Sequence, residues 1–248
     1  MHKISVLTIA FFAWTCILQA QPTERPAMPP EATEVWEPEP RIVTPGSGSA
    51  APSDAIVLFD GADLKEWVSA DGSPAKWKVS DGAMTVEKGA GAIFTKRTFN
   101  DFQLHIEFRP PAVVEGNGQG RGNSGIFLQN RYELQVLDSY NNRTYSNGQA
   151  GSMYKQSPPL VNACRPPGEW QVYDIIYQAP RYNKDGMLIT PPYVTVLQNG
   201  ILVQNHFAIK GTTEYIGMPK NIAHGAGPIQ LQDHNNPTSF RNIWIREL

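Results

Sequence analysis

The stretch from Tyr193 to Val203 reads YVTVLQNGILV and decides the class of fold. Apolar and polar residues alternate before Asn199-Gly200, and apolar residues resume directly after it. Asn-Gly between two such runs is the strongest short signal for a β-hairpin. Alternation with a period of two sends successive side chains to opposite faces of a strand. The stretch therefore predicts two antiparallel strands joined by a two-residue turn.

The same pattern recurs along the chain on both sides of this hairpin. Further strands are predicted over 102–108, 125–128, 131–137, 170–177, 229–232 and 240–245. Turn residues separate these segments, and we find neither sustained helical periodicity nor a solenoid or propeller repeat. The glycine-dense stretch 116–122 lacks the Lys-Ser/Thr ending of a phosphate-binding loop and is interpreted as a mobile loop between strands. The pattern favours an all-β sandwich or barrel.

Residues 1–20 have the features of a secretory signal peptide. A positive start precedes an uncharged apolar run over 4–18, and the small residue Ala20 marks the cleavage site. The run is shorter than the roughly 20 apolar residues that span a bilayer. We therefore expect export to the periplasm or the extracellular space, with no membrane span in the mature protein. An uncleaved anchor and a lipoprotein modified at Cys16 are the alternatives.

The rest of the chain divides by composition into a spacer and one domain. Prolines punctuate residues 21–53, and because proline removes backbone donors this segment is expected to be an extended spacer. Residues 54–248 are long enough for one domain with a substantial core. Cleavage after Ala20 would leave Cys164 as the single cysteine, so no intramolecular disulfide is expected.

Charge makes nucleic acid an unlikely class of partner. The formal net charge is −2, and no run of Lys and Arg is present to neutralise phosphates.

Two predicted strands carry polar side chains on the face away from the core. These residues are Arg131, Glu133 and Gln135 in the first strand, and Gln230, Gln232 and His234 in and after the second. Amide and carboxylate groups offer the paired donors and acceptors that sugar hydroxyls need. The pattern indicates either a carbohydrate-binding face or an ordinary solvated sheet surface.

Several longer motifs then follow one another in the order of a known family. They are NSGIFL at 123–128, YELQVLDS at 132–139, VNACRPPGEW at 161–170, YDII at 173–176, VTVLQNG at 194–200, GPIQLQDH at 227–234 and FRNIWIREL at 240–248. With VLFDG at 57–61 as its start, this set resembles the 3-keto-disaccharide hydrolase domain family, once called domain of unknown function 1080. The likeness extends over nearly the whole of the predicted domain.

The resemblance implies a concanavalin A-like jelly roll of two antiparallel sheets, often exported, that cleaves glycosides already oxidised to a ketone at C3. This sequence departs from the family at Asn205-His206, at Arg165 where Lys is common, and at Asn235-Asn236-Pro237 instead of Gly-Asn-Pro. These are loop or conservative changes, although His206 could alter substrate preference.

The implied chemistry can be compared with the residues on the polar face. A C3 ketone acidifies the C2 proton, so a base can remove it and the enolate can expel the C1 substituent; water then adds across the double bond. Such a site needs a base near C2, an electrophile at the C3 oxygen and an acid at the leaving oxygen. An ordinary glycosidase needs two carboxylates. Here Glu133 is followed by Gln135 at the next position on the same face, which favours the elimination.

Roles follow from the resemblance and from residue chemistry. His234 is the candidate base or acid, because an imidazole titrates near neutrality, and Glu133 is the alternative base. Asp233 would either orient His234 or cap the adjoining loop. Glu133 could instead be a structural ion-pair partner of Arg131 or Arg241. The expected substrate-binding residues are Asn123, Arg131, Gln135, Gln230, Gln232 and Trp170, the last of which could equally be a core residue.

No cofactor is expected, and a divalent cation is the open alternative. His206, His224, His234, Glu133 and Asp233 are suitable ligand types, but they lack a short ligand spacing such as His-Glu-x-x-His. Three functions remain: a 3-keto-glycoside hydrolase or lyase, a non-catalytic carbohydrate-binding sandwich, and an ordinary glycoside hydrolase. Carbohydrate is the expected partner in each.

Overall fold

The structure is a computed structural model that describes residues 27–248, so the predicted signal peptide and Cys16 lie outside the described residues. The chain divides into two compact units, Met1–Ile42 and Val43–Leu248. In the described part of the first unit, a 3-10 turn spans Pro30–Thr33 and every residue is exposed. An extended, proline-rich segment of this kind has few apolar side chains to bury.

The second unit is a sandwich of two sheets whose strands are numbered in chain order. The larger sheet has eight strands, namely β1 (Ile56–Phe59), β3 (Lys78–Ser80), β4 (Ala83–Thr85), β6 (Phe102–Arg109), β9 (Gln171–Gln178), β12 (Tyr193–Gln198), β13 (Ile201–Ala208) and β15 (Ser239–Glu247). The smaller sheet has five, namely β2 (Trp67–Ser69), β5 (Ile93–Thr95), β7 (Ser124–Leu128), β8 (Tyr132–Val136) and β14 (Gln230–Leu231). Strands β10 (Arg181–Tyr182) and β11 (Leu188–Thr190) form a separate hairpin, and 3-10 turns span Gly118–Gly120 and Ser146–Gly148.

Strand order, rather than chain order, brings distant segments together. The larger sheet runs β13-β12-β9-β6-β15-β4-β3, with β1 also paired to β15, and the smaller runs β2-β5-β14-β7-β8. The strand pairs among residues 27–248 are all antiparallel. Strand β14 therefore lies beside β7, although about a hundred residues separate them in the chain.

The apolar sets of the two sheets pack face to face, as period-two alternation requires. Leu104 and Ile106 of β6 and Leu134 of β8 are fully buried in one core. Two tyrosines of β9 also cross between the sheets. The Tyr173 hydroxyl donates to the carbonyl of Gln135 at 2.8 Å, and the Tyr177 hydroxyl donates to Gln129 Oε1 at 2.8 Å.

The predicted all-β, concanavalin A-like sandwich is confirmed. The Asn-Gly hairpin joins β12 to β13, and Asn199 and Gly200 both have positive φ, 53° and 80°, as a type I′ turn requires. The short strands β1 to β5 were not individually predicted, because most have three or four residues and are too short to show alternation. No helix within residues 27–248 has the length and apolarity needed to cross a membrane.

The end of the predicted spacer contacts the larger sheet. The carbonyl of Ser49 accepts hydrogen bonds from Trp244 Nε1 and Asn242 Nδ2, both at 3.0 Å. The Ser49 hydroxyl donates to Glu107 Oε1 at 3.2 Å. Residues 43–53 therefore belong to the folded unit, whereas residues 27–42 are exposed.

Candidate active site

A cavity of about 690 Å³ opens on the outer face of the smaller sheet. Sheet residues form its floor, and loops from three other parts of the chain form its walls. Its lining residues are Gln119, Gly120, Asn123, Phe127, Glu133, Gln135, Tyr145, Tyr154, Lys155, Thr213, Tyr215, Gln232 and His234. The volume lies within the range of small-molecule sites, and the lining combines aromatic rings with amides and few charges.

The floor of the cavity is set by the register between β7 and β8. Gly125 pairs with Gln135, and Phe127 pairs with Glu133. A β-carbon at Gly125 would lie 2.6 Å from Glu133 Oε1 and 3.1 Å from the Phe127 ring. The absence of a side chain at this position therefore leaves the space that the Glu133 carboxyl group occupies.

Glu133 is a buried carboxyl group without a cationic partner. Its exposed fraction is 5 %, and it forms no ion pair with any residue of the described part of the chain. Burial raises the pKa of Glu133 to about 8, because a carboxylate is poorly solvated there. The salt-bridge alternative is wrong, since Arg241 pairs with Glu107 and no pair to Arg131 forms. Near neutral pH this group is mainly protonated.

One wall of the cavity is formed by segments that bond to the free edge of β8. The amide of Tyr154 donates to the carbonyl of Glu133 at 3.0 Å, and the Thr213 hydroxyl accepts from the amide of Glu133 at 2.9 Å. Because β8 is an edge strand, these bonds satisfy its free backbone groups and fix the covering segments. They are the reason that Glu133 is buried instead of lying on an open sheet surface.

Aromatic rings and one lysine form the outer part of this wall. The hydroxyls of Tyr145 and Tyr154 are 2.6 Å apart, and Lys155 Nζ lies 4.3 Å from the centre of the Tyr215 ring. Lys155 has φ of +57°, a conformation that costs energy for a residue other than glycine. None of these four residues was predicted from the sequence, because they lie between strands where no periodic pattern applies.

The opposite wall is the 3-10 turn Gly118–Gly120, within the stretch interpreted above as a loop. The Asn142 side chain binds both backbone groups of Gly118. Its Oδ1 accepts from the Gly118 amide at 2.7 Å, and its Nδ2 donates to the Gly118 carbonyl at 3.0 Å. The turn places Gln119 against Gln135, with Gln135 Nε2 2.9 Å from Gln119 Oε1. The glycine-rich composition was a signal for a loop, but not for the side chain that the loop presents.

The cavity brings together five of the predicted site residues, which are Asn123, Glu133, Gln135, Gln232 and His234. Gln232 Oε1 is buried and has no hydrogen-bond partner among the described residues, so it is available to a ligand. Gln230 is not in the lining. Phe127 is the register partner of both Gln230 and Glu133, so its strand separates the two.

Three other predicted residues lie outside the lining. Asp233 caps a loop, because its Oδ2 accepts from the amides of Gly89 and Gly91 at 2.9 and 3.0 Å. This is the second of its two expected roles. The guanidinium groups of Arg109 and Arg241, which belong to the larger sheet, lie over the Trp170 ring, 4.6 and 4.1 Å from its centre.

Arg131 is half-buried beside the cavity residues in sequence but is not part of the lining. Alternation predicted Arg131 on the same face as Glu133, but β8 begins at Tyr132 and Arg131 lies in the preceding turn, where its amide donates to the Leu128 carbonyl at 3.1 Å. The period of two therefore does not extend to this side chain.

The candidate metal ligands are dispersed. His224 Nε2 lies 2.7 Å from the Tyr132 hydroxyl, and His206 stacks on Tyr193 with ring centres 4.2 Å apart. No group of three or more His, Cys, Asp or Glu side chains suited to a metal occurs within residues 27–248. The cavity itself contributes Glu133 and His234.

Comparison with known proteins identifies the family. The family model for the 3-keto-alpha-glucoside-1,2-lyase-like domain matches residues 54–246. A Bacteroides thetaiotaomicron protein named 3-keto-disaccharide hydrolase is 27 % identical over 238 residues, covering 78 % of this chain and 78 % of that protein.

Solved structures agree with the fold. One Parabacteroides distasonis protein, called a glycosyl hydrolase, is 58 % identical with a TM-score of 0.87, covering 92 % of this chain and all of that chain. A second protein of that organism is 23 % identical with a TM-score of 0.57, covering 79 % and 94 %. The match over most of the chain shows that this protein belongs to the 3-keto-alpha-glucoside-1,2-lyase-like domain family.

Proposed function

We propose that this protein is an exported enzyme that cleaves glycosides whose sugar carries a ketone at C3. The reaction begins with loss of the C2 proton and continues by elimination of the C1 substituent. Water then adds across the C1–C2 double bond, which makes the net reaction a hydrolysis. The family match and the name of the Bacteroides thetaiotaomicron relative support a keto-sugar substrate.

The observation that carries the mechanism is that, within residues 27–248, Glu133 is the single carboxyl group in the cavity lining. Retaining and inverting glycosidases generally use two carboxyl groups, one as acid and the other as nucleophile or base. An elimination next to a ketone needs only one acid and one base, because the ketone stabilises the carbanion. The cavity composition therefore supports the elimination over the ordinary glycosidase reaction.

Glu133 is suited to the acid role. Its pKa of about 8 keeps it protonated near neutral pH, where a carboxyl group of ordinary pKa would be ionised. In the proposed step, its proton passes to the leaving oxygen as the C1–O bond breaks and the electron pair of that bond stays on the oxygen. The Glu133 carboxylate can then help to deprotonate the water that adds at C1.

His234 is the base in this proposal. It is exposed at the cavity, and an imidazole is the side chain that can exchange a proton near neutral pH. It removes the C2 proton, the C2–H electron pair forms the enolate with C3, and collapse of the enolate forms the C1–C2 double bond. After the elimination His234 holds the C2 proton, and the proton that Glu133 gave up is on the leaving group.

Negative charge on the C3 oxygen needs donors. Among the described residues, Lys155 is the one lysine or arginine of the cavity lining, and Asn123 and Gln232 contribute amide groups to the same lining. We assign these three residues to the enolate oxygen and the sugar hydroxyls, with Gln135 supporting Glu133.

Export is supported by the composition of residues 1–20, which ends at Ala20. Expression in a bacterial host with separation of periplasm and cytoplasm tests it. We expect the exported form to begin at Gln21, as determined by N-terminal sequencing. Retention of Met1 in a cytoplasmic product would reject export.

The decisive assay uses a matched pair of substrates, one glycoside before and after chemical oxidation at C3. Release of the aglycone only from the oxidised member is the expected result, and accumulation of an unsaturated keto sugar before hydration would establish the elimination. Release from both members would indicate an ordinary glycoside hydrolase. Binding of either member without release would indicate a carbohydrate-binding domain.

A further inference from the structure

The hydrogen bonds around Gln135 fix the direction in which its amide points. An amide side chain has a donor end and an acceptor end, and its orientation is read from its partners. Gln135 lies between Gln119 on one side and Glu133 on the other. Whichever end faces Gln119, the opposite end faces Glu133.

The orientation of Gln119 is set by a backbone carbonyl. Gln119 Nε2 donates to the carbonyl oxygen of Gly148 at 2.8 Å and to Thr144 Oγ1 at 3.1 Å. A carbonyl oxygen can only accept, so the amide nitrogen of Gln119 must face Gly148. Its Oε1 is then directed at Gln135.

Gln135 must therefore direct its amide nitrogen, which is a donor, at Gln119 Oε1. Its Nε2 donates to Gln119 Oε1 at 2.9 Å, which leaves Gln135 Oε1 on the side of Glu133, 3.2 Å from Glu133 Oε1. The carbonyl of Ser124 is the other neighbour of Gln135 Oε1, also at 3.2 Å, and it too is an acceptor. The reverse orientation would let the Gln135 amide nitrogen donate to the Ser124 carbonyl and to an ionised Glu133, but it would place two amide oxygens 2.9 Å apart at Gln119.

A hydrogen atom is therefore needed between Gln135 Oε1 and Glu133 Oε1, and Glu133 is the one group there that can supply it. We propose that Gln119 is a positioning residue that, through Gln135, selects the neutral, proton-donating form of Glu133. The chain of bonds runs from the Gly148 carbonyl through Gln119 and Gln135 to the carboxyl group. A buried polar network of this kind is cooperative, because each member fixes the direction of the next.

Other groups around Glu133 do not supply this selection. The titratable residues that face the cavity are Tyr145, Tyr154 and Lys155 from one segment, Tyr215 from another and His234 after β14. The Lys155 ammonium donates to the carbonyl of Tyr215, and the Tyr145 and Tyr154 hydroxyls bond to each other. The β7 residues against Glu133, Gly125 and Phe127, do not titrate. Burial also raises the pKa of Glu133, so the test must separate burial from the amide chain.

The separating variant is Gln119→Met, which keeps the volume of the side chain and removes its acceptor. Gln135 is then free to turn its nitrogen toward Glu133 and stabilise the carboxylate. We expect the pKa of Glu133 to fall by roughly one unit. The measurement is a carbon NMR titration of protein labelled at the Glu side-chain carboxyl, with Glu133→Gln used to assign the signal.

Gln149→Met is the matched control. Gln149 directly follows the 3-10 turn Ser146–Gly148, and its Nε2 donates only a long hydrogen bond, of 3.4 Å, to the Asn142 carbonyl. It should leave the titration of Glu133 unchanged. An unchanged titration in folded Gln119→Met as well would mean that burial alone sets the proton and would overturn the proposal.

A second measurement needs no substitution at Gln119. The infrared difference between the wild-type protein and Glu133→Gln near neutral pH should contain the carbonyl stretch of a protonated carboxyl group, shifted by its hydrogen bond. A carboxylate band instead would also overturn the proposal. The effect on catalysis rests on the proposed function. The NMR and infrared measurements require no substrate, so the proposal for Gln119 and the proposed function can fail separately. If both hold, the alkaline limb of turnover should move to lower pH in Gln119→Met and not in Gln149→Met.

Discussion

Glu107 and Glu133 lie on the outer faces of the two sheets, and each is 5 % exposed. Their surroundings differ. Glu107 accepts hydrogen bonds from Arg241 Nε at 2.6 Å, Asn242 Nδ2 at 2.9 Å and the Ser49 hydroxyl at 3.2 Å. Glu133 has no cation and no comparable set of donors within the described residues, and it opens on the cavity.

The pKa of a glutamate side chain is therefore shifted in opposite directions at the two positions. Burial acts to raise the pKa of Glu107, but the hydrogen bonds from Asn242 and Arg241 outweigh it and the pKa is lowered. At Glu133 no cation or comparable set of donors among the described residues opposes burial, and the pKa rises to about 8. A buried carboxyl group with all its partners holds structure together, whereas one without partners is available for proton transfer.

The largest effect should separate the two residues by activity. Glu133→Gln should reduce turnover of a 3-keto-glycoside by roughly 10²–10⁴-fold, the usual contribution of a general acid. Glu107→Gln should leave turnover near that of the wild type, because Glu107 and its hydrogen-bond partners lie on the larger sheet, outside the cavity lining. Steady-state kinetics on one substrate measures both. Equal losses of turnover in the two variants would show that Glu133 and Glu107 do not differ in catalytic role.

Displacing Glu133 without removing it should also be costly. A methyl group at Gly125 would meet the carboxyl oxygen at 2.6 Å, so Gly125→Ala forces the side chain to move. We expect turnover to fall by roughly 10²-fold, the effect of a displacement of about 1 Å. Gly225→Ala is the matched control, since nothing lies within 4 Å of that position, its φ is not in the left-handed region and it is outside the cavity lining. Normal turnover in Gly125→Ala would mean that the position of Glu133 is not critical.

The raised pKa of Glu133 makes stability depend on pH. Between the ordinary value of 4.5 and about 8, the unfolded chain releases a proton that the folded protein retains. Stability should therefore fall as pH rises through this range. Glu133→Gln lacks this loss, so between pH 4 and pH 8 the stability of the wild type relative to the variant should fall by roughly 4 kcal/mol. Calorimetry across the range measures the difference, and a constant difference would show that Glu133 titrates normally.

Glu107 should show the opposite dependence. Because its folded pKa lies below 4.5, its contribution to stability is complete above that value and is lost as pH falls through the folded pKa. Glu107→Gln should cost about 1–2 kcal/mol near neutral pH, since Arg241 loses its anionic partner. The gap between variant and wild type should close in acid. A gap that widens in acid would contradict the assignment.

The smallest effect concerns the segment that covers Glu107. Ser49→Ala removes the hydroxyl bonds to Glu107 and Asn242 and should cost about 1 kcal/mol with no change in turnover. Removal of residues 1–42 should not alter the melting temperature of the domain, because residues 27–42 are exposed. Removal of residues 1–53 should lower it but leave a cooperative transition. A melting temperature unaffected by both deletions would show that Ser49 contributes nothing.

The alternation in β6, β8 and β12 was enough to predict an all-β sandwich or barrel, and the alternation in β8 and at 229–232 put Glu133, Gln135, Gln232 and His234 on a polar face. The prediction was weaker where the pattern was short or irregular. Gln230 fitted the alternation but lies beyond Phe127, outside the cavity. Trp170 fitted a sugar-stacking residue but stacks on two arginines of the other sheet.

The residues that make the site a cavity had no signal of this kind. Lys155, Tyr215 and Gln119 lie in loops, where the conformation depends on contacts with distant parts of the chain. The bonds from Tyr154 and Thr213 to the edge of β8 decide that Glu133 is buried. Alternation alone cannot distinguish a polar face in water from one covered by loops.

What the residue pattern dictated is the sidedness of each strand, because the period of two follows from local backbone geometry. It also fixed the family, because several motifs occur in one order. The charge of Glu133 was decided only in the folded molecule. Its ionisation depends on the solvation and hydrogen bonding provided by residues far away in the chain, and strand order and loop packing bring those residues together.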